Sequence, residues 1–164
     1  MTSTTVPPPA QQVLITRIFE APRELVFRAW TDPSQLHRWF APPGCRIEYR
    51  QIEVRKGGVY HSCIHTPDAH ECWCKGEYLE VTEPSKLVLS MCISNERGEI
   101  VQAAEVGMDP DWPQQTILTV TFDEQDGRTK LTLHQTVDEV LAKRTGAYPS
   151  WVQMLDCLAE ELAA

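Results

Sequence analysis

The chain has 164 residues and a net charge of −8, a size suited to one domain around one core. Its 42% hydrophobic and 23% charged residues are ordinary for a globular protein, and the acidic balance argues against nucleic acid or an anionic membrane as partner. The opening MTSTTVPPPAQQ lacks the basic and apolar segments of a secretion signal, and no apolar run approaches the ~18 residues of a membrane span. A cytoplasmic setting is therefore expected, where the six cysteines stay reduced. Cys45, Cys92 and Cys157 are read as small core hydrophobes.

Residues 1–11 read as a disordered tail, because Pro7, Pro8 and Pro9 favour an extended, unpaired backbone. Residues 12–164 then form the domain. Gln12 to Glu20 is rich in β-branched residues and predicts a first strand. Pro22 suits a helix start, and Leu25, Val26, Ala29 and Trp30 follow at helical spacing. Asp32-Pro33-Ser34-Gln35 starts a second, short helix, with Asp32 as cap. Pro42-Pro43-Gly44 stops it just after Trp39 and Phe40.

From Cys45 to Val137 the pattern is one of strands: Cys45–Val54, Val59–His65, His70–Thr82, Lys86–Ile93, Thr116–Phe122 and Thr129–Val137. Gly76 interrupts the third of these and marks a bulge or a close approach. Ile100–Val106 reads as an extended piece, and Met108 to Pro113 as a loop. A final helix begins near Pro149, which only its first turn can hold. Trp151, Leu155, Leu158 and Leu162 form its apolar stripe. Strands followed by an amphipathic helix imply an α+β fold with the helix lying on the sheet.

The stretch YHSCIHTPDAHECWC, Tyr60 to Cys74, carries three histidines and three cysteines. A four-residue turn at 66–69 opposes His65 to His70, Cys63 to Cys72 and His61 to Cys74. Alternation then puts all six on one face, a donor set that suits Zn²⁺. Against a metal stand the extended spacing, the parallel rather than convergent side chains, and a register that one slip would undo. The competing reading is a patch of polarisable residues on the sheet's outer face, with Tyr60, Ser62, Ile64 and Trp73 on the inner one. A Cys63–Cys72 disulfide is disfavoured by the compartment.

The blocks ITRIFEAPRELVFRAWTDPSQLHRWFAPPG, RKGGVYHS, GEYLEVTEPSKLVLS, TVTFDEQDGRTKLTL and WVQMLDCLAEEL, in that order, resemble the SRPBCC superfamily of START-like helix-grip proteins. Within it they are most similar to homologues of the activator of the ninety-kilodalton heat-shock protein ATPase. The resemblance implies a β-α-α-β6-α topology. A curved antiparallel sheet would wrap around a long C-terminal helix and leave a cavity between them. It also implies a small apolar or amphipathic ligand in that cavity and no cofactor. Some relatives instead use the cavity for cyclisation or hydrolysis, and a chaperone co-factor or interaction module is the third class. The eukaryotic activator binds its chaperone through an extra N-terminal domain, which the short tail here is not expected to supply.

If that fold holds, Trp39 and Phe40 stand at one end of the cavity. Tyr60, Ser62 and Trp73 come from the sheet, Trp151, Met154 and Leu155 from the helix. Trp112 closes the mouth, within the proline-bounded loop from Asp109 to Gln114. Each of these also suits plain core packing. None of the strings GxSxG, HExxH, GxGxxG or a P-loop occurs. Glu80 and His134 are strand residues that would serve as acid or base only if buried and partnered, and neither has an evident partner. A homodimer through a sheet edge or the outer face is compatible with such a domain.

Overall fold

The computed structural model describes residues 11–163, so all but Gln11 of the expected N-terminal tail lies outside the described residues. Seven antiparallel strands form one sheet in the order β1-β7-β6-β5-β4-β3-β2. They are β1 (Gln12–Phe19), β2 (Arg46–Ile52), β3 (Val59–His65), β4 (Glu71–Thr82), β5 (Lys86–Ile93), β6 (Gln115–Gln125) and β7 (Arg128–Asp138). The helices are α1 (Arg23–Thr31), α2 (Pro33–Trp39), α3 (Glu139–Thr145) and α4 (Ala147–Ala163). The α+β, helix-grip expectation is met: strands alternate between a buried inner face and a more exposed outer one, and α4 turns Trp151, Met154, Leu155 and Leu158 into the core.

Local chemistry accounts for the helix boundaries. The Asp32 carboxylate accepts from the Ser34 N–H at 3.0 Å, and Pro33 occupies the first position of α2, where its missing N–H costs nothing. Sequence reading passed over α3. The Asp138 side chain accepts from the N–H groups of Val140 and Leu141 at 2.7 and 3.2 Å, so a capped helix begins directly where β7 ends. Gly146 stops it in the left-handed conformation, φ 87°, and α4 starts at the next residue. The extended piece expected at Ile100–Val106 is only an isolated bridge from Ile100 to Ser94. A 3-10 turn, Ala103–Val106, follows it. There the Glu105 carboxylate accepts from the Gln102 N–H at 2.8 Å, and that reciprocal cap outweighs the β preference of the flanking Ile and Val.

The β3–β4 hairpin corrects the expected register. Thr66 and His70 close the loop: the Thr66 N–H donates to the His70 carbonyl at 3.0 Å, and the His70 N–H donates to Thr66 Oγ1 at 3.1 Å. Three residues remain between them, with Ala69 left-handed at φ 67°, as three-residue hairpin loops require. An odd loop changes the parity. His65 opposes Glu71, Cys63 opposes Trp73 and His61 opposes Lys75, while Ile64, Ser62 and Tyr60 oppose Cys72, Cys74 and Gly76. The six His and Cys residues are therefore not on one face. His61, Cys63 and His65 lie outside, Cys72 and Cys74 inside, and His70 in the loop closure. Trp73, expected inside, belongs to the outer face.

Gly76 is a close-approach site. Tyr60 lies directly across from it, and a Cβ on Gly76 would stand 1.9 Å from the Ser90 carbonyl oxygen and 2.8 Å from the Tyr60 ring. With hydrogen there instead, the Tyr60 hydroxyl reaches that carbonyl at 2.8 Å. Gly76→Ala should lower the unfolding free energy by about 3 kcal/mol, the upper part of the usual cost of overpacking, as read from the urea midpoint at unchanged m-value.

Candidate functional site

The inner face of β2–β6 and the α1–α2 segment enclose a cavity of about 60 Å³. The helical side contributes Trp30, Leu36 and Phe40. The sheet contributes Ile47 and Tyr49 from β2, then Tyr60, Ser62 and Ile64 from β3. Cys74 and Tyr78 come from β4, Leu87, Leu89 and Met91 from β5, and Leu118 from β6. Strand alternation assembles this wall, since residues two apart share a face. Proximity to a helix is arranged by a short segment: the Trp39 indole N–H donates to the Ala29 carbonyl at 3.0 Å, which locks α2 against α1 and swings Phe40 over the sheet.

None of the fourteen lining residues carries a charge or an imidazole. The polar groups are the hydroxyls of Tyr49, Tyr60, Tyr78 and Ser62, the thiol of Cys74 and the indole N–H of Trp30, which is buried without a hydrogen-bond partner among the described residues. Tyr60 is committed to the Ser90 carbonyl and also lies 3.5 Å from Cys74 Sγ. The hydroxyls of Tyr49, Tyr78 and Ser62 have no hydrogen-bond partner among the described residues. Burial holds all three phenols well above the ordinary tyrosine range, and neighbouring phenols and the Cys74 thiol add to this at Tyr49 and Tyr60. They are fixed as neutral donors. Burial likewise pushes the Cys74 thiol up to about 12, too high for it to serve as a thiolate nucleophile at neutral pH.

Of the residues singled out from sequence, Phe40, Tyr60 and Ser62 meet in this cavity. Trp39, Trp151, Met154 and Leu155 pack in the core without lining it. The Trp151 indole N–H donates to Gln135 Oε1 at 2.9 Å. Trp112 lines a separate open groove of about 500 Å³, together with Met108, Asp109, Thr145, Ala147 and Ser150. Tyr49 and Tyr78 escaped the sequence reading, and Cys74 was expected on the outer face: Tyr49 faces inward opposite Ser62, while Cys74 and Tyr78 follow from the corrected β3–β4 register. With Tyr60 inside, the i, i+2, i+4 series Cys74, Gly76, Tyr78 comes with it.

The outer face around His61 and Cys63 is covered by the loop that follows β5. His61 Nε2 lies 3.1 Å from the Asn95 carbonyl, and Lys75 Nζ donates to the Gly98 carbonyl at 2.8 Å. The Trp73 ring stacks near His61, with the Arg50 guanidinium 4.7 Å from its centroid. Cys63 is fully enclosed there, and burial raises its thiol to about 11. Among the described residues no three His, Cys, Asp or Glu side chains converge to hold a metal ion. His134 makes a 2.7 Å contact with Gln12 Oε1, and Glu80 lies 3.6 Å from Lys86. Both stand apart from the cavity.

A curved antiparallel sheet closed by helices over an apolar cavity defines a helix-grip protein of the SRPBCC superfamily. The chain belongs to the family described as Activator of Hsp90 ATPase homolog 1-like protein, whose profile matches residues 20–163. Similar solved structures include a protein from Staphylococcus epidermidis (24% identity, TM-score 0.77, covering 98% of this chain and 94% of that one). Another is a protein from Chromobacterium violaceum (20% identity, TM-score 0.76, 93% and 97%). An AHSA1 protein from Silicibacter pomeroyi is a third (18% identity, TM-score 0.71, 93% and 98%). At these identities the likeness shows the fold. No curated protein matches the chain. No helix among the described residues is long and apolar enough to cross a membrane.

The raised Cys74 value has a consequence for stability. The native state keeps a proton that the unfolded chain releases near the ordinary value of 9.0. Stability present below pH 9 is therefore lost as pH rises toward 12. Between pH 8 and 11 the urea midpoint of wild type should fall more steeply than that of Cys74→Ala.

Proposed function

We propose that the protein binds a small, uncharged, apolar or amphipathic molecule in the cavity beneath α1 and α2. One observation carries this reading: an apolar enclosure whose hydroxyls at Tyr49, Tyr78 and Ser62 are left without partners among the described residues. Each of these hydroxyls is a donor open to a guest, and the Trp30 indole N–H of the same lining, buried without a partner among the described residues, costs about 1–3 kcal/mol while unpaired. A ligand oxygen accepting from these groups would recover that cost. A charged ligand would be stranded there, with no counter-ion in the lining.

The lining favours binding over catalysis. It holds no paired base and nucleophile, since its thiol is held protonated and its phenols are held neutral. Cyclisation or hydrolysis by side-chain acid–base chemistry would need such a pair. The chaperone co-factor reading finds no specific support in the site.

Native mass spectrometry of the freshly purified protein should show an organic adduct, lost on denaturation. Tyr49→Phe and Tyr78→Phe should each weaken a bound neutral carbonyl compound by about 3- to 10-fold, the worth of one hydrogen bond, while leaving a pure hydrocarbon unaffected. If no adduct is present and no neutral apolar compound raises the melting temperature, the binding reading fails.

A further inference from the structure

We infer that two copies of this chain join through β1, pairing antiparallel about a twofold axis at Thr16, so that two seven-stranded sheets become one. A strand at a sheet edge leaves alternate backbone N–H and C=O groups unpaired, and proteins either guard such an edge or use it. The sheet has two edges, β1 and β2, and they differ in this respect.

The β2 edge is guarded. Its sequence RIEYRQI carries Arg46, Glu48 and Arg50, and its register with β3 breaks between Tyr49 and Gln51. The β1 edge, QVLITRIF, has a single charge, no proline and an unbroken register with β7 from Val13 to Phe19. That charge, Arg17, is neutralised by an ion pair with Asp156 of α4. Among the described residues, residues 12–19 make no backbone–backbone hydrogen bond outside the ladder with β7.

Exposed apolar side chains gather at the same edge. Leu14 and Ile18, on the outer side of β1, are 53% and 42% exposed. Val140, 72% exposed, lies on α3, which packs against β1 just after Asp138 pairs with Gln12. Val152, also exposed, stands one turn before Asp156 on the same face of α4, as residues four apart do.

The edge matches itself in one register. Directly opposed residues of an antiparallel pair share a face, so a strand pairing with its own copy about a twofold axis is centred on a residue. Three centres keep most of β1 paired. Centring on Arg17 opposes two guanidiniums. Centring on Ile15 leaves Ile18 against Gln12. Centring on Thr16 sets Leu14 against Ile18 of the second copy, twice by symmetry, and the two Thr16 side chains against each other. Apolar pairs and threonine pairs of this kind stabilise a sheet. Arg17 then meets Ile15, and Gln12 meets Glu20, whose carboxylate lies 3.3 Å from the Arg128 guanidinium. No like charges are directly opposed. This match of the strand to itself selects a second copy as the occupant of the edge.

Sedimentation equilibrium of the full chain over a concentration series reads the association. Wild type should form dimers. Thr16→Lys, which opposes two ammonium groups, and Leu14→Lys should each raise the dimer dissociation constant by at least about tenfold. Leu14→Lys combined with Ile18→Glu in one chain opposes unlike charges in this register and should recover association relative to Leu14→Lys. Gln51→Lys, on β2, should leave it unchanged. Far-UV circular dichroism and a thermal melt establish that each variant is folded. A wild type that stays monomeric up to millimolar concentration, or that carries a different polypeptide on β1, overturns the inference. Dimers that survive Thr16→Lys and Leu14→Lys, or that Gln51→Lys disrupts, place the interface elsewhere and overturn it too. Failure of the double variant to recover association overturns the register centred on Thr16.

Discussion

The parity of one hairpin governs the site. In an antiparallel pair, opposed residues share a face and neighbours alternate, so one residue more or less in the loop exchanges the faces of a whole strand. Thr66 and His70 close a three-residue loop, and from that single closure Cys74 and Tyr78 turn inward while Trp73 turns outward. The β4 wall of the cavity, with the Tyr78 hydroxyl and the Cys74 thiol, follows from it, as does the outward Trp73 beside Cys63.

That inward set could not pack without Gly76. Tyr60 needs a hydrogen opposite to lay its ring across β4 and reach the Ser90 carbonyl. The consequence is a sheet that brings three phenols and a thiol close together without any charge. Such a wall holds no counter-charge for an ionised group. A second buried polar group, Gln135, ties β6 and β7 to α4 by accepting from Trp151 and donating to Thr116. It is fully enclosed, and its amide is satisfied at both ends. Such satisfied networks fix one arrangement of a core.

The family relationship and the fold agree. A profile match over residues 20–163 and near-complete structural coverage at 18–24% identity describe one scaffold carried by divergent sequences. The functional question therefore rests on particular side chains, as it does for any fold that hosts many activities.

Much of this architecture was legible in the chain itself. Asp32-Pro33-Ser34 set the start of α2, the Val59–His65 and Lys86–Ile93 strands read directly from their composition, and Pro149 with the Trp151–Leu158 stripe marked α4, because capping, β-branching and helical periodicity are local properties. Gly76 also announced a close approach. The α3 helix was less legible, since Asp138 serves both as the last residue of β7 and as the cap of the next helix. What the chain alone left open was which face each strand presents and which aromatics meet. Phe40, Tyr60 and Ser62 come together with Tyr49 and Tyr78, whereas Trp73, Trp112 and Trp151 go to three different places. Those outcomes depend on loop parity and on contacts between residues far apart in sequence, and local pattern carries no record of either.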